Sequence, residues 1–329
     1  MHIARLLLCL LTLAVVSCNG KHLPTKQEKE LIAQIEQIFS VKQQLADKYW
    51  PEFNDEKYSV PIIFFAGSTC YVVNPGADFL RAFPCKQIKT DTFQLYKTRR
   101  LNSRPYIMET QVNFFSYTST YAKKTPYVMC SVWSETKKTY SVEIMDEAVW
   151  MASVIHELVH GCQLSHPWFY VAQHNINHLV SDMALTSYPS RYPWLCNALI
   201  EENDYLLSAI SADDESEMKD FLRKFLSCRK ERKNRMKAEF GEALVRNEEQ
   251  YETDESLARF MELKAAIMLN TENPIYAEGS FYFCNNVQED YQYITGYNLV
   301  RLFLKMGIDL DLPYNSVLLR SLDSYININ

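Results

Sequence analysis

The segment Val154 to Cys162, VIHELVHGC, sets His156 and His160 four residues apart and places Glu157 directly after the first histidine. On a helix, residues four apart lie one above the other, so both imidazoles can aim a nitrogen at a single cation. Glu157 lies about 100° round the helix from His156, so it flanks such a cation without binding it. A carboxylate in that place can take a proton from a metal-activated water and pass it to a leaving group. The spacing therefore points to hydrolytic chemistry with zinc as cofactor; the plain alternative is a helix with two surface histidines.

Two histidines and a base still need a third ligand. His166 stands ten residues after His156, the spacing of the metzincin pattern HExxHxxGxxH. Gln163 occupies the position of the glycine at which that chain turns back, and SDMAL at 181–185 is a poor Met-turn. His174 and His178 repeat the four-residue spacing without a glutamate beside His174, and read as surface or core histidines. A different answer is the segment TDESLARFMEL, Thr253 to Leu263. It resembles the NEGFARFVE helix of the aminopeptidase-type gluzincin metallopeptidases, and the resemblance implies Glu255 as third zinc ligand. Glu262, seven residues later and on the same helix face, is placed to orient a ligating histidine. YITGYNLVRLFLKMG, Tyr293 to Gly307, is similar to the YxxG segment of the same family. That similarity implies Tyr293 as a donor to the oxyanion of the tetrahedral intermediate. Tyr291 and Tyr297 are competitors in a chain with 21 tyrosines.

The three segments occur in the family's order and imply a zincin-like catalytic domain whose substrate is a peptide or protein. Two features depart from the pattern. The interval from His160 to Glu255 holds 94 residues, far more than in typical members, and contains Glu201 and Glu202 as reserve ligands. There is no GxMEN motif, so the reading of a free amino terminus is not carried over.

The elements that must position these residues follow from periodicity. Leu31, Ile32, Ile35, Ile38, Phe39 and Leu45 recur at helical spacing from Glu28 to Lys48. From Val60 to Ile144, short apolar runs such as VPIIFF, CYVVNP, TFQLY, NFFSYTS and YVMCSVW are broken by Pro, Asn and Gly, as strands and turns are. From Asp146 onward long helical patterns dominate. The fold class is α+β, a β-containing lobe at 56–145 followed by a mainly helical lobe at 146–329, together forming one catalytic unit. NFFSYTS or YVMCSVW is expected to supply an edge strand for an extended substrate. The basic run Arg223 to Lys237 is flanked by acids on both sides and reads as a solvated helix face.

The amino terminus, MHIARLLLCLLTLAVVSCNG, has a basic residue, an apolar run from Leu6 to Val16 and then small residues, the pattern of an export signal at 1–17. VVSC resembles a bacterial lipobox, which implies acylation of Cys18 and a lipid-anchored membrane association at the cell envelope; the alternative is a secreted protein cleaved near Gly20. Residues 18–55 then read as a lipidated tether and an N-terminal helix. Seven cysteines lie beyond Cys18 at wide spacings without CxxC, with Cys70 and Cys85 the pair closest in sequence, so one or two bridges are open to an exported chain. A net charge of −6 and the lack of a Gly-rich phosphate loop give no reason to expect nucleic acid or nucleotide. The intact Glu157 argues against a non-catalytic binding lipoprotein. A zinc hydrolase of a non-peptide amide stays open on these residues.

Overall fold

The computed structural model describes residues 23–111, 126–141, 143–166, 182–280, 282, 291–314 and 320–328. The export signal, Cys18, NFFSYTS, His174, His178 and Cys284 lie outside the described residues. The fold is mixed α+β, one six-stranded sheet against a larger set of helices.

The chain begins with α1 (Lys26–Lys48), started by a capping box in which Thr25 and Glu28 each accept from the other's backbone N–H. This helix is part of the main hydrophobic core, with Leu31, Ile35, Ile38 and Leu45 buried in it, so the described part of the expected tether belongs to the folded body. Buried Glu28 fastens it to the sheet through Lys97, whose Nζ is 3.0 Å away.

The strands are β1 (Ile62–Ala66), β2 (Thr69–Val73), β3 (Lys86–Ile88), β4 (Leu95–Arg99), β5 (Met108–Gln111) and β6 (Tyr127–Ser131), in sheet order β3-β4-β2-β1-β6-β5. Pairing is antiparallel except between β1 and β6. Both faces of β1 are covered, which is why it reads as an unbroken apolar run. Ile62, Phe64 and Ala66 face the main core, while Ile63 and Phe65 face a smaller cluster with Phe79 and Phe83. Those two phenylalanines come from the short helix α2 (Ala77–Ala82) and its C-cap. YVMCSVW is not an edge: β6 pairs on both sides and stops at Ser131, and Trp133 opens α3 (Trp133–Thr139). The outer strand on that side among the described residues is β5, whose mixed residues show no apolar alternation.

The helical lobe comprises α4 (Glu147–Ser165), α5 (Asp182–Arg191), α6 (Pro193–Ser211), α7 (Glu215–Phe240), α8 (Glu242–Met268), α9 (Tyr291–Met306) and the short α10 (Asp311–Tyr314). Helix α4 packs on β5, β6, α1 and α8, so it is buried almost all round, as its apolar composition requires. The 94-residue interval is taken up mainly by α5, α6 and α7, after which α8 returns along α4. None of the described helices is long and apolar enough to cross a membrane.

Arg223, Lys224, Lys230, Arg235 and Lys237 of the basic run on α7 are exposed, as expected of a solvated face, but two of its arginines are not. Arg229 and Arg232 are 1% and 2% exposed. Arg229 donates to Glu202 at 2.5 Å, Glu252 at 2.6 Å and Asp323 at 3.0 Å. Arg232 donates to Glu202 and, through two nitrogens, to Glu248. Charge this deep persists only when each guanidinium is ringed by carboxylates. Cys70 and Cys85 are free thiols, as are Cys130, Cys162, Cys196 and Cys228.

Candidate metal centre

Asp146 caps α4 by accepting from the Val149 N–H at 2.7 Å, and its other oxygen accepts from Thr271 just beyond the end of α8. The two helices are thereby pinned at one end of their contact. Gly161 sets the depth of α4 on its other side: a Cβ there would lie 2.5 Å from a methyl of Val60. On the face turned to α8, His156 and His160 bring their Nε2 atoms to 3.0 Å of one another. Glu255 Oε2 lies 3.3 Å from the first and 3.5 Å from the second. These three residues can together hold a metal ion.

Each of the two histidines is held from behind. Glu262 Oε2 lies 2.9 Å from His156 Nδ1, and the same carboxylate accepts from Arg259 at 3.0 Å and Tyr276 at 2.7 Å. His160 Nδ1 lies 3.0 Å from Gln163 Oε1, and the Gln163 amide donates to the carbonyl of Asp254 at 3.1 Å. Gln163 therefore ties the second histidine to the residue that precedes Glu255. These contacts turn both Nε2 atoms toward the same point, where each is a lone-pair donor once a cation displaces its proton.

The electrostatics of the cluster call for positive charge there. Burial disfavours charged His156, but Glu255 and Glu262 outweigh it and carry its pKa up to about 10. His160 is raised against burial by Glu255. Burial also works against ionised Glu255, yet the two imidazoles hold it well below the carboxylate range. Glu262 falls to about 2, with Arg259 and His156 prevailing over burial. Glu255 Oε2 is nevertheless buried without a hydrogen-bond donor, an oxygen suited to a cation.

A cavity of about 310 Å³ opens over the cluster, lined by Glu157, Thr110, Tyr251 and Tyr293 among others. Thr110 Oγ1 lies 2.8 Å from Glu157 Oε2 and 2.7 Å from its carbonyl oxygen, linking β5 to the residue between the ligands. Tyr293 reaches the cavity from α9 because Gly296, one turn on, lets the helices touch; a Cβ at 296 would sit 2.7 Å from Ser256 Cβ. Its hydroxyl is 2.8 Å from that of Tyr251, and burial, helped by Glu255, raises its pKa above the phenol range. It thus keeps its proton at neutral pH.

The other sequence candidates lie elsewhere. His166 stacks on Tyr58 with ring centres 3.9 Å apart, and its Nε2 faces Glu52 at 3.7 Å. Glu202 is consumed by the two arginines, and Glu201 accepts from Tyr205 on its own helix. Tyr291 donates to Glu248, while Tyr297 packs against Phe260 and Tyr282. Thr110, Gln163 and Tyr251 are the site residues that sequence reasoning missed. Only the last two carried a signal, Gln163 three residues after His160 and Tyr251 four before Glu255. Comparison with protein-family models, with curated proteins and with solved structures finds no match.

Proposed function

We propose that the protein is a zinc metallopeptidase of gluzincin type on a zincin-like scaffold. The observation that carries this is the spacing of the three ligand atoms. Zinc bound by nitrogen and oxygen at about 2.0–2.2 Å in a tetrahedron requires ligand atoms about 3.3–3.6 Å apart. The separations of 3.0, 3.3 and 3.5 Å approach that set, and all three residues line the cavity. Imidazole is a borderline donor that suits zinc, and a carboxylate oxygen beside two imidazoles is among the ligand sets of catalytic zinc.

His156, His160 and Glu255 would hold the zinc ion, which when bound would supply Lewis acidity toward a water and a carbonyl oxygen. Glu157, fixed by Thr110 through one oxygen, has the other to accept the proton of the attacking water and deliver it to the departing amine. Tyr293 keeps its proton and donates to the oxygen that gains charge on the substrate. Strand β5, which carries Thr110, is the natural rail for an extended peptide. Anchoring at a bacterial envelope through Cys18 belongs to the same reading and rests on the lipobox pattern.

Elemental analysis of the purified parent and Glu255→Ala, with hydrolysis of labelled casein by the parent and Glu157→Gln, tests this. The expected result is one zinc per chain, lost with Glu255. Glu157→Gln should keep its zinc and lose about 100-fold or more in turnover. Zinc retained without Glu255, or full activity in Glu157→Gln, would overturn it.

A further inference from the structure

The hydroxyls of Tyr251 and Tyr293 lie 2.8 Å apart in the cavity wall, their rings meeting edge to face with centres 5.5 Å apart. Only one proton can lie between two phenol oxygens, so one tyrosine donates to the other. The accepting tyrosine directs its own proton elsewhere. The surroundings of the pair are unequal. The guanidinium of Arg259 lies 4.8 Å from the centre of the Tyr293 ring and is itself tied to Glu262. A cation over that ring draws electrons from it and makes the Tyr293 O–H the more polar donor. Tyr251 has a different asset: it stands four residues before Glu255 on α8, on the same face, so its hydroxyl is indexed to the metal ligand. Tyr293 comes from α9, and without a link between the helices nothing would fix where its proton points.

Resting on the peptidase reading, we infer that Tyr251 is a positioning residue for Tyr293. It donates to the Tyr293 oxygen, so that the Tyr293 proton is turned toward the oxygen that becomes negative on the substrate. Donors in series polarise one another, which strengthens the outer bond as charge develops. The proton between the two tyrosines is not transferred; the pair acts as one preorganised donor.

The test uses zinc-loaded parent, Tyr251→Phe, Tyr293→Phe and the double variant, each titrated calorimetrically with two dipeptide ligands bearing the same side chains. One carries a phosphonamidate, with a tetrahedral anionic oxygen where the oxyanion forms. The other carries a thiol and has no such oxygen. Phenylalanine keeps the ring packing and removes only the hydroxyl. Tyr293→Phe is expected to weaken the phosphonamidate about 100-fold, the scale of a lost oxyanion donor. Tyr251→Phe should weaken it about 10-fold, with the double variant no weaker than Tyr293→Phe, as for residues acting as a unit. Thiol binding should stay within about twofold in all four, since it asks nothing of the donor. Unchanged phosphonamidate binding in Tyr251→Phe, or losses that multiply in the double variant, would overturn the coupling. Equal losses for both ligands would make Tyr251 a packing residue. If the parent bound neither ligand, the peptidase reading would fall first and the pair's role with it.

Discussion

Replacing Gly296 by alanine tests how α9 presents Tyr293. In an unconstrained helix interior this change stabilises, by about 0.5–1 kcal/mol, because alanine loses less backbone freedom on folding. At position 296 the added Cβ would lie 2.7 Å from Ser256 Cβ, 3.1 Å from Ser256 Cα and 3.0 Å from the Glu252 carbonyl oxygen. Carbon atoms rest at about 3.5–4.0 Å, so α9 must withdraw by about 0.8 Å or more. These obstacles are the backbone of α8 and a Cβ fixed to it, which no rotamer change can clear. Overpacking of this kind costs about 1–3 kcal/mol, enough to reverse the gain from propensity. Tyr293 lies one turn away and moves with its helix. A misplacement of about 1 Å at a reacting centre costs on the order of 100-fold in rate. The proposed zinc ligands, on α4 and α8, stay where they are. The assays are thermal melting, zinc content and casein hydrolysis. Melting should fall by a few degrees, about 2–4 °C per kcal/mol for a large domain, with one zinc retained and hydrolysis down about 100-fold. A melting temperature equal to or above that of the parent would refute the close crossing and the reason for glycine in YITG.

Gln163→Ala and Glu262→Gln each remove the rear support of one histidine, and each should lower zinc affinity by about 10–100-fold in competition with a chelator. Unchanged affinity in both would leave the two contacts without a role. His166→Ala should keep full zinc content while lowering the melting temperature, since its ring packs on Tyr58 away from the cluster; loss of zinc there would return His166 to the ligand set. Burial pushes the Glu252 carboxyl up to about 7 in spite of Arg229. The folded state thus holds that proton more tightly than the unfolded chain, so stability falls as pH rises from about 4.5 through 7 and levels above it. Glu252→Gln mimics the protonated form, and its urea midpoint should climb relative to the parent across that window; parallel curves would refute the shift.

What the sequence made legible was what depends on short spacing. His156, Glu157 and His160 on one helix follow from a four-residue interval, whereas Glu255 was implied by the resemblance of TDESLARFMEL to the gluzincin helix, and Glu262 then followed from its seven-residue interval to Glu255. Contacts across the chain were not legible. Thr110 meets Glu157 across 47 positions from a four-residue strand with no apolar alternation to announce it. YVMCSVW was one of two candidates for an edge, with NFFSYTS, because an apolar strand gives no sign of whether it has one neighbour or two. The arginines show a subtler failure. Leu222, Phe225, Arg229, Arg232 and Met236 recur at intervals of three and four, the spacing of a core stripe, yet two of the five are arginine. A count of flanking acids treats them as surface charge, whereas the period marks them as interior. Their partners Glu248 and Glu252 are likewise four apart on α8. That helix carries two polar faces, 248 and 252 against the arginines, and 251, 255 and 262 against the metal cluster. With polar residues on every side it reads as solvated, although each face is buried against its own partners. The ion pairs with Arg229 and Arg232 are specific in length and direction, so they fix the axial position of α8 against α7, and through α7 against α6, in a way that apolar contacts, which tolerate sliding, do not. The candidate ligand Glu255 sits less than one turn beyond Glu252, so the register of this buried network is also the register of the candidate metal centre.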